Sequence, residues 1–249
     1  MQTTGNTLLV TGGGSGIGRA LAQRWHDRGN RVIVAGRRLA ALEETIAGRP
    51  GMAALAFDAD DAAGLRAFAA EAIRRHPAIN VLVNNAGIMR RENLTAPRDL
   101  ADAEATLTTN LLGPIRLIDA FIAHLSAQPA AAVVNVTSGL AFVPLPSTPT
   151  YSATKAALHS YSVALREQLR GGPVEVIEIA PPAVQTELTP GQSTREGYLP
   201  LDAFADEVMD LLAATPTPEE ILVERVGMLR HAEAQGRFAE VLGMLKAYG

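Results

Sequence analysis

The sequence predicts an α/β fold: a doubly wound parallel sheet of about seven strands with helices on both faces. Two observations carry this expectation. Short β-branched runs alternate along the chain with longer stretches whose apolar residues recur at helical spacing. The runs are also nearly continuous in apolar character, as at residues 133–136, which suits strands buried on both sides and joined by helical crossovers. The strands are expected at 8–10, 31–35, 53–57, 79–83, 132–136, 174–179 and 221–224. The helices are expected at 17–28, 39–47, 62–76, 103–126, 151–169 and 202–214.

Composition bounds the rest. The chain has 249 residues, 47% hydrophobic and 19% charged, enough to bury the core of one α/β domain spanning 1–249. Its 22 basic and 26 acidic residues leave a net charge of −4, which argues against a nucleic-acid-binding surface. There is no cysteine, so disulfides, thiolate zinc sites and cysteine nucleophiles are excluded. The five histidines show no metal-ligand spacing, and no metal is expected. The first residues, MQTTGNTLLV, lack the basic and apolar regions of a signal peptide, and no apolar run reaches the ~18 residues of a membrane span. A cytoplasmic protein with no membrane contact is the expectation.

After the first strand comes Thr11-Gly-Gly-Gly-Ser-Gly-Ile-Gly18, opening the first helix. Gly12 suits a tight turn with unusual backbone angles. Gly16 would let the backbone approach a pyrophosphate, and Gly18 would let the helix pack closely on the strand. The helix N-terminus then presents free N–H groups to phosphate. A glycine-rich turn without a ligand is the bland alternative. The spacing Thr-Gly-x-x-x-Gly-Ile-Gly resembles the classical short-chain dehydrogenases/reductases, with a Rossmann-like fold. That resemblance places Gly12, Ser15, Gly16, Ile17 and Gly18 against a nicotinamide dinucleotide.

The second strand ends Ile33-Val-Ala-Gly36-Arg37-Arg38. No carboxylate is present to accept from a ribose 2′-hydroxyl, whereas two guanidinium groups could hold a 2′-phosphate. NADP(H) is therefore expected over NAD(H), with Arg37 the main contact and Arg38 the second. Both could instead be solvated caps of a surface turn. The third strand ends Ala56-Phe57-Asp58-Ala59. The resemblance puts Asp58 on the adenine and Ala59 against the ring, while Asp58 could equally be a helix N-cap or turn residue. The fourth strand ends in Asn84-Asn85-Ala86-Gly87, a run similar to the family's signature. There Ala86 and Gly87 would let the dinucleotide pass, and Asn85 would contact it or stabilise the sheet.

Asn110 sits inside a helical stretch, in Thr108-Thr-Asn110-Leu-Leu-Gly-Pro. By resemblance its backbone carbonyl holds a water linked to a proton relay; a helix kink near Gly113-Pro114 is the other reading. Ser138 ends the fifth strand, thirteen positions before Tyr151 in Tyr151-Ser-Ala-Thr-Lys155. Tyrosine and lysine four residues apart share a helix face. An ammonium there, with an oxidised nicotinamide as a second positive charge, should lower the phenol's pKa from ~10 and make Tyr151 a tuned general acid. Ser138 would orient the substrate oxygen. The resemblance thus implies a catalytic set of Asn110, Ser138, Tyr151 and Lys155, with Tyr151 and Lys155 also touching the cofactor. The side chain of Thr137 should point to the opposite face from that of Ser138.

The sixth strand runs into Ile179-Ala-Pro181-Pro182-Ala-Val184-Gln-Thr186. Pro181, Val184 and Thr186 match the family's cofactor segment, Val184 facing the nicotinamide carboxamide through its backbone. Pro182 replaces the usual glycine, fixing φ and removing an N–H. This variant, with Ser-Gly-Leu-Ala-Phe-Val-Pro after Thr137, resembles a bacterial subgroup labelled as D-alanine-esterification-type oxidoreductases. Residues 187–215 read as a substrate lid. Residues 140–150, with Phe142, Val143, Leu145 and three prolines, read as a stiff apolar wall favouring a hydrophobic ketone. The last segment, 227–249, is helical in composition. Its Leu229, Ala232, Phe238, Val241, Leu242 and Leu245 could cover a sheet edge or meet another subunit.

The expected function is NADP(H)-dependent hydride transfer between nicotinamide and a carbonyl or secondary alcohol. A sugar-nucleotide epimerase or dehydratase also uses a Tyr–Lys pair, but only about 60 residues follow Thr186. A catalytically silent NADP-binding sensor or partner-binding protein would be favoured by loss of the Ser, Tyr or Lys, and all three are present. The resemblance also implies a homodimer or homotetramer, paired through the helices at 103–126 and 151–169.

Overall fold

The computed structural model describes residues 1–247 and contains one seven-stranded sheet in the order β3-β2-β1-β4-β5-β6-β7, every neighbouring pair parallel. The strands are β1 (Thr7–Thr11), β2 (Arg31–Gly36), β3 (Ala53–Ala56), β4 (Val81–Asn84), β5 (Ala131–Val136), β6 (Val174–Ile179) and β7 (Glu220–Ile221). Strand order reverses between β1 and β4, and at such a switch point the carboxyl ends of the strands part to leave a crevice.

Period-two alternation divides the core. Leu8 and Val10 of β1 face one cluster, with Leu21 and Trp25 of α1 (Gly16–Asp27) and Phe204 and Val208 of α7 (Leu201–Leu212). Leu9 faces the other, with Leu65 of α3 (Ala62–Arg75) and Leu117, Phe121 and Leu125 of α5 (Gly113–Ser126). Both faces of β1 are buried, which is why its run lacks polar alternation. Each such leucine contributes roughly 1.5–3 kcal/mol of burial.

The remaining helices are α2 (Leu39–Ile46), α4 (Ala101–Leu107), α6 (Pro149–Gln168), α8 (Gly227–Arg230) and α9 (Phe238–Ala247). The stretch expected as one helix over 103–126 is instead α4, a π-helical turn at Thr108–Leu112, and α5. Pro114 has no N–H for the carbonyl of Asn110 four residues back, so an α-helical bond is missing there. Helix α6 starts two residues before the expected Tyr151, with Pro149 in its first turn, where proline's fixed φ is pre-organised. The expected strand 221–224 shortens to two residues, because the chain turns into a 3₁₀ segment at Glu224–Val226.

Within 187–215, residues 187–200 are loop and short 3₁₀ turn, whereas α7 packs against α1 in the core. The C-terminal segment folds back on its own chain. Leu229, Ala232 and Val241 bury Val143, flanked by Leu242 and Leu245, while Phe238 stays exposed. Residues 248 and 249 of the expected 227–249 segment lie outside the described residues.

Candidate active site

The glycine turn is built by steric necessity. Gly12 has φ +67° and Gly16 φ +51°, left-handed values that side chains resist. A Cβ on Gly12 would lie 2.8 Å from the Ala86 Cα, and one on Gly18 2.4 Å from both the Gly12 carbonyl oxygen and Asn85 Nδ2. Asn85 braces this turn: its Nδ2 donates to the Thr11 carbonyl at 2.9 Å and the Gly12 carbonyl at 3.3 Å. The Thr11 hydroxyl, which the sequence reading left without a role, accepts the Asn85 and Ala86 amides at 3.0 and 3.2 Å and donates to Val83. No side chain caps α1; Ser15 stands at its N-cap but accepts from Arg38 Nη2 at 3.2 Å. The first-turn N–H groups, at Gly16, Ile17 and Gly18, therefore remain open to an anion in the crevice.

A cleft of about 580 Å³ runs from this turn, past Gly87 and Ile88, to Ser138 and Tyr151. Its volume is that of a cofactor or small-ligand site. Arg37 and Arg38 border it at the β2 end, Arg37 exposed and 3.8 Å from Asp60. Asp58 also borders it. Its Oδ1 accepts the Asp60 amide at 3.0 Å, so it shapes a turn, and the N-cap of α3 is Asp61 instead. Ala59, largely buried, lines the cleft beside Asp58.

At the far end the predicted catalytic residues come together. Ser138 follows β5 in extended conformation, its hydroxyl accepting the Leu140 amide at 3.1 Å and standing beside the Tyr151 phenol in the cleft. Lys155 lies one turn along α6, with Nζ 5.6 Å from the Tyr151 ring centroid and donating to the Val136 carbonyl at 2.8 Å. The phenol differs from expectation. Burial pushes Tyr151 up to about 12, against the opposing effect of the Ser138 hydroxyl, rather than the lysine drawing it down. Burial acts on Lys155 in the other sense, taking it down to about 8, with Glu178 opposing. Both shifts come from withdrawing the charged form from water.

Asn110 is fully buried in the π-helical turn. Its side chain pairs with the Ile88 backbone, accepting the amide at 2.9 Å and donating to the carbonyl at 2.8 Å. That leaves its own carbonyl, which Pro114 cannot meet with an N–H, as the group presented by the helix break. A Cβ on Gly87 would come within 3.3 Å of Asn110 Oδ1 and 3.8 Å of Lys155 Nζ, so Gly87 brings these groups together.

Beyond β6, the Pro181 carbonyl accepts the Gly139 amide at 2.8 Å, and Val184 forms an isolated parallel bridge with Leu199. The turn thus accommodates Pro182. Gln192, which sequence reasoning missed, reaches back from the 3₁₀ turn at Gln192–Thr194, donating to the Val184 carbonyl at 2.8 Å and the Thr186 hydroxyl at 3.3 Å. A second missed residue is Glu92. Its carboxylate accepts the Thr150 amide at 2.9 Å and hydroxyl at 2.7 Å, and pairs with Arg98, pinning the start of α6. Neither shows a local sequence signal: Glu92 acts on a segment 58 positions away, and Gln192 reaches six and eight residues back across an irregular loop that has no fixed spacing. The expected wall at 140–150 is corrected in part. Val143 is buried under the C-terminal segment, and Phe142 lies edge-on to His159 at 4.9 Å beneath Arg230, so neither borders the cleft.

Residues 6–197 match the profile of the short chain dehydrogenase family. The chain is 41% identical over 235 residues to the uncharacterized oxidoreductase DltE of Bacillus subtilis, covering 93% of each chain. It is 30% identical over 244 residues to sulfoacetaldehyde reductase 2 of Chromohalobacter salexigens, covering 93% of this chain and 97% of that one. A short chain dehydrogenase from Burkholderia cenocepacia, solved in complex with NADP, superposes with a TM-score of 0.82 at 27% identity, covering 97% of this chain and 99% of that one.

Proposed function

The chain belongs to the short chain dehydrogenase family of oxidoreductases, and from that premise we propose that it is an NADP(H)-dependent reductase of a carbonyl compound, working in reverse on the secondary alcohol. The observation that carries this reading is the joining of the Ser138 hydroxyl, the Tyr151 phenol and Lys155 at the strand ends, in one cleft with an uncapped α1 N-terminus.

The residues fit a dinucleotide. The close contacts at Gly12 and Gly18 keep side chains out of the turn, and the first amides of α1 would take the pyrophosphate. Asp58 and Ala59 would meet the adenine, Ala86 and Gly87 the backbone of the ligand, and Pro181, Val184 and Thr186 the nicotinamide end. Arg38, steadied by Ser15, and Arg37 would hold a 2′-phosphate, and no carboxylate ends β2 to repel it. The DltE and NADP-bound relatives support the family chemistry.

When bound, the nicotinamide supplies or accepts the hydride. Ser138 holds the substrate oxygen by a hydrogen bond. Tyr151, whose burial keeps its proton on, donates that proton to the oxygen as it becomes an alcohol. Lys155 holds positive charge beside the ring and binds the ribose, and the Asn110 carbonyl supports proton return. Ile88, Pro182 and Leu188 line the reacting end, so the substrate carries an apolar substituent beside its carbonyl. Leu107, Leu112 and Val163, exposed on the π-turn region and α6, support assembly as a homodimer or homotetramer. No helix among the described residues is long and apolar enough to cross a membrane; a cytoplasmic location is part of the same proposal.

The test is NADPH oxidation over a panel of aryl and cyclic ketones, steroids, 3-oxoacyl thioesters and short aldehydes, with Tyr151→Phe beside the wild type. Turnover in one class, reduced about 10²–10⁴-fold in the variant with cofactor binding retained, is the expected result. A fully active Tyr151→Phe would overturn the acid assignment.

A further inference from the structure

Behind the lysine lies a buried acid that the reaction above does not use. Glu178 of β6 has no exposed surface, and it stands in register with Asn135 of β5. One oxygen accepts the Thr137 hydroxyl at 2.6 Å, and the other meets His159 Nδ1 at 2.7 Å. Thr137 adjoins both Val136, whose carbonyl holds Lys155 Nζ, and Ser138. His159 is one turn beyond Lys155 on α6, so Tyr151, Lys155 and His159 form one stripe along that helix.

We propose that Glu178 is a positioning residue for the reaction: its buried carboxylate, fixed by Thr137, is the counter-charge that keeps Lys155 an ammonium, and His159 modulates that charge from the solvent side. The proposal rests on the reductase reading only for its use; the contacts that run from Glu178 to the Thr137 hydroxyl, and from the adjoining Val136 carbonyl to Lys155 Nζ, stand without it. A carboxylate this deep is costly unless compensated. Its two hydrogen bonds compensate part of that cost, and attraction to the Lys155 ammonium adds to them.

The charged groups around the stripe are few. Lys155 faces Glu178 from β6 and Tyr151 from its own helix. His159 faces Glu178, Glu220 from β7 and Arg230 from α8. The hydrogen bond to Glu178 raises the imidazole above its ordinary value; burial and Arg230 oppose, and Glu220 adds to the rise. His159, Glu178 and Glu220 bring ligand atoms within 4.8 Å of one another, the spacing of a metal cluster. Yet Arg230 already grips both oxygens of Glu220, at 2.7 and 3.0 Å. The cluster has its cation in a guanidinium, and what it offers the active site is the charge of Glu178.

The sequence supplies a clean readout. Lys155 and Lys246 are the only lysines in the chain. Only the unprotonated amine is acylated, so trace labelling with acetic anhydride across pH, read by peptide mass spectrometry as the Lys155-to-Lys246 ratio, titrates Lys155 without turnover. With Lys155 near 8 in the wild type, a one-unit fall in Glu178→Gln raises the ratio at pH 7 about five-fold. His159→Gln leaves the carboxylate less neutralised and should move the ratio the opposite way. General loosening would raise labelling in both variants, so a rise in both overturns the proposal, as does an unchanged ratio in folded Glu178→Gln. Should Glu178→Gln fail to fold, His159→Gln alone decides: a lowered ratio supports the proposal and an unchanged or raised one defeats it. Turnover is measured separately, so an inactive wild type whose labelling shifts as expected would defeat the reductase reading and leave the charge pairing standing.

Discussion

Glu92 is the sharpest structural test of how the active-site tyrosine is held. Its side chain is 3% exposed, and its carboxylate takes the Thr150 amide and hydroxyl together with the Arg98 guanidinium. Thr150 precedes Tyr151, so this acid caps the catalytic helix from a different segment. Burial alone would raise the carboxyl, but the hydrogen bonds from Thr150 and Arg98 outweigh it and hold Glu92 below its ordinary value. Glu92→Gln keeps one acceptor oxygen and turns the other into a donor facing donors. Hydrogen bonds to a charged group contribute about 1.5–3 kcal/mol each; the Arg98 share is discounted because its side chain is 26% exposed. The net loss is about 1.5–3 kcal/mol, a fall in Tm of roughly 3–12 °C for a chain of this size. Tyr151 should lose its alignment too, cutting kcat by about ten-fold or more while NADPH affinity stays within about two-fold. Thermal melts and steady-state kinetics read both. The stabilisation belongs to the ionised carboxylate, so it is fully present above the unfolded carboxyl's pKa near 4.5 and is lost as pH falls through the lower folded value. The gap between wild type and variant should therefore close on acidification. A variant with unchanged Tm and kcat at pH 7 would refute the argument.

Two further outcomes are expected. Arg37→Asp should weaken NADPH binding far more than NADH binding in paired fluorescence titrations; equal losses would remove the guanidinium from the 2′-phosphate. Gly18→Ala forces a methyl to within 2.4 Å of the Gly12 carbonyl and Asn85 Nδ2. It should cost about 1–3 kcal/mol in chemical denaturation and abolish tight cofactor binding, and a stable, tightly binding variant would show that the turn can relax.

What could be read from the sequence was what local chemistry dictates. The glycines at 12, 16 and 18 announce themselves because backbone conformation and close approach leave few alternatives, and the strands because burial on both faces leaves no polar alternation. Asn85 was legible as important, but only the fold chose its role as a brace over the Thr11 and Gly12 carbonyls. Glu92 and the Glu178 contacts with Thr137 and His159 join separate elements, and Gln192 bridges an irregular loop, so no spacing rule reaches them. The 140–150 run shows the converse. Its apolar residues look like a substrate wall until the C-terminal segment, whose placement was open, claims Val143 and the Arg230–His159 pair encloses Phe142.

The pKa of Tyr151 exposes a deeper limit, since burial is a property of the whole fold. A lysine four residues away suggests a lowered phenol, yet desolvation acts on both groups and drives them in opposite senses, the phenol to about 12 and the amine to about 8. Below about pH 8 the arrangement therefore consists of a protonated phenol and a positive lysine, the pair that delivers a proton to a developing alkoxide. The reverse reaction needs the phenolate, which this burial opposes and which only added positive charge close to the ring could favour. Charge at Lys155 consequently matters more to alcohol oxidation than to carbonyl reduction. Weakening that charge through Glu178 should depress oxidation more than reduction when both are measured between pH 7 and 8, where wild type and Glu178→Gln differ most in the charge of Lys155, an asymmetry that a merely loosened active site would not produce.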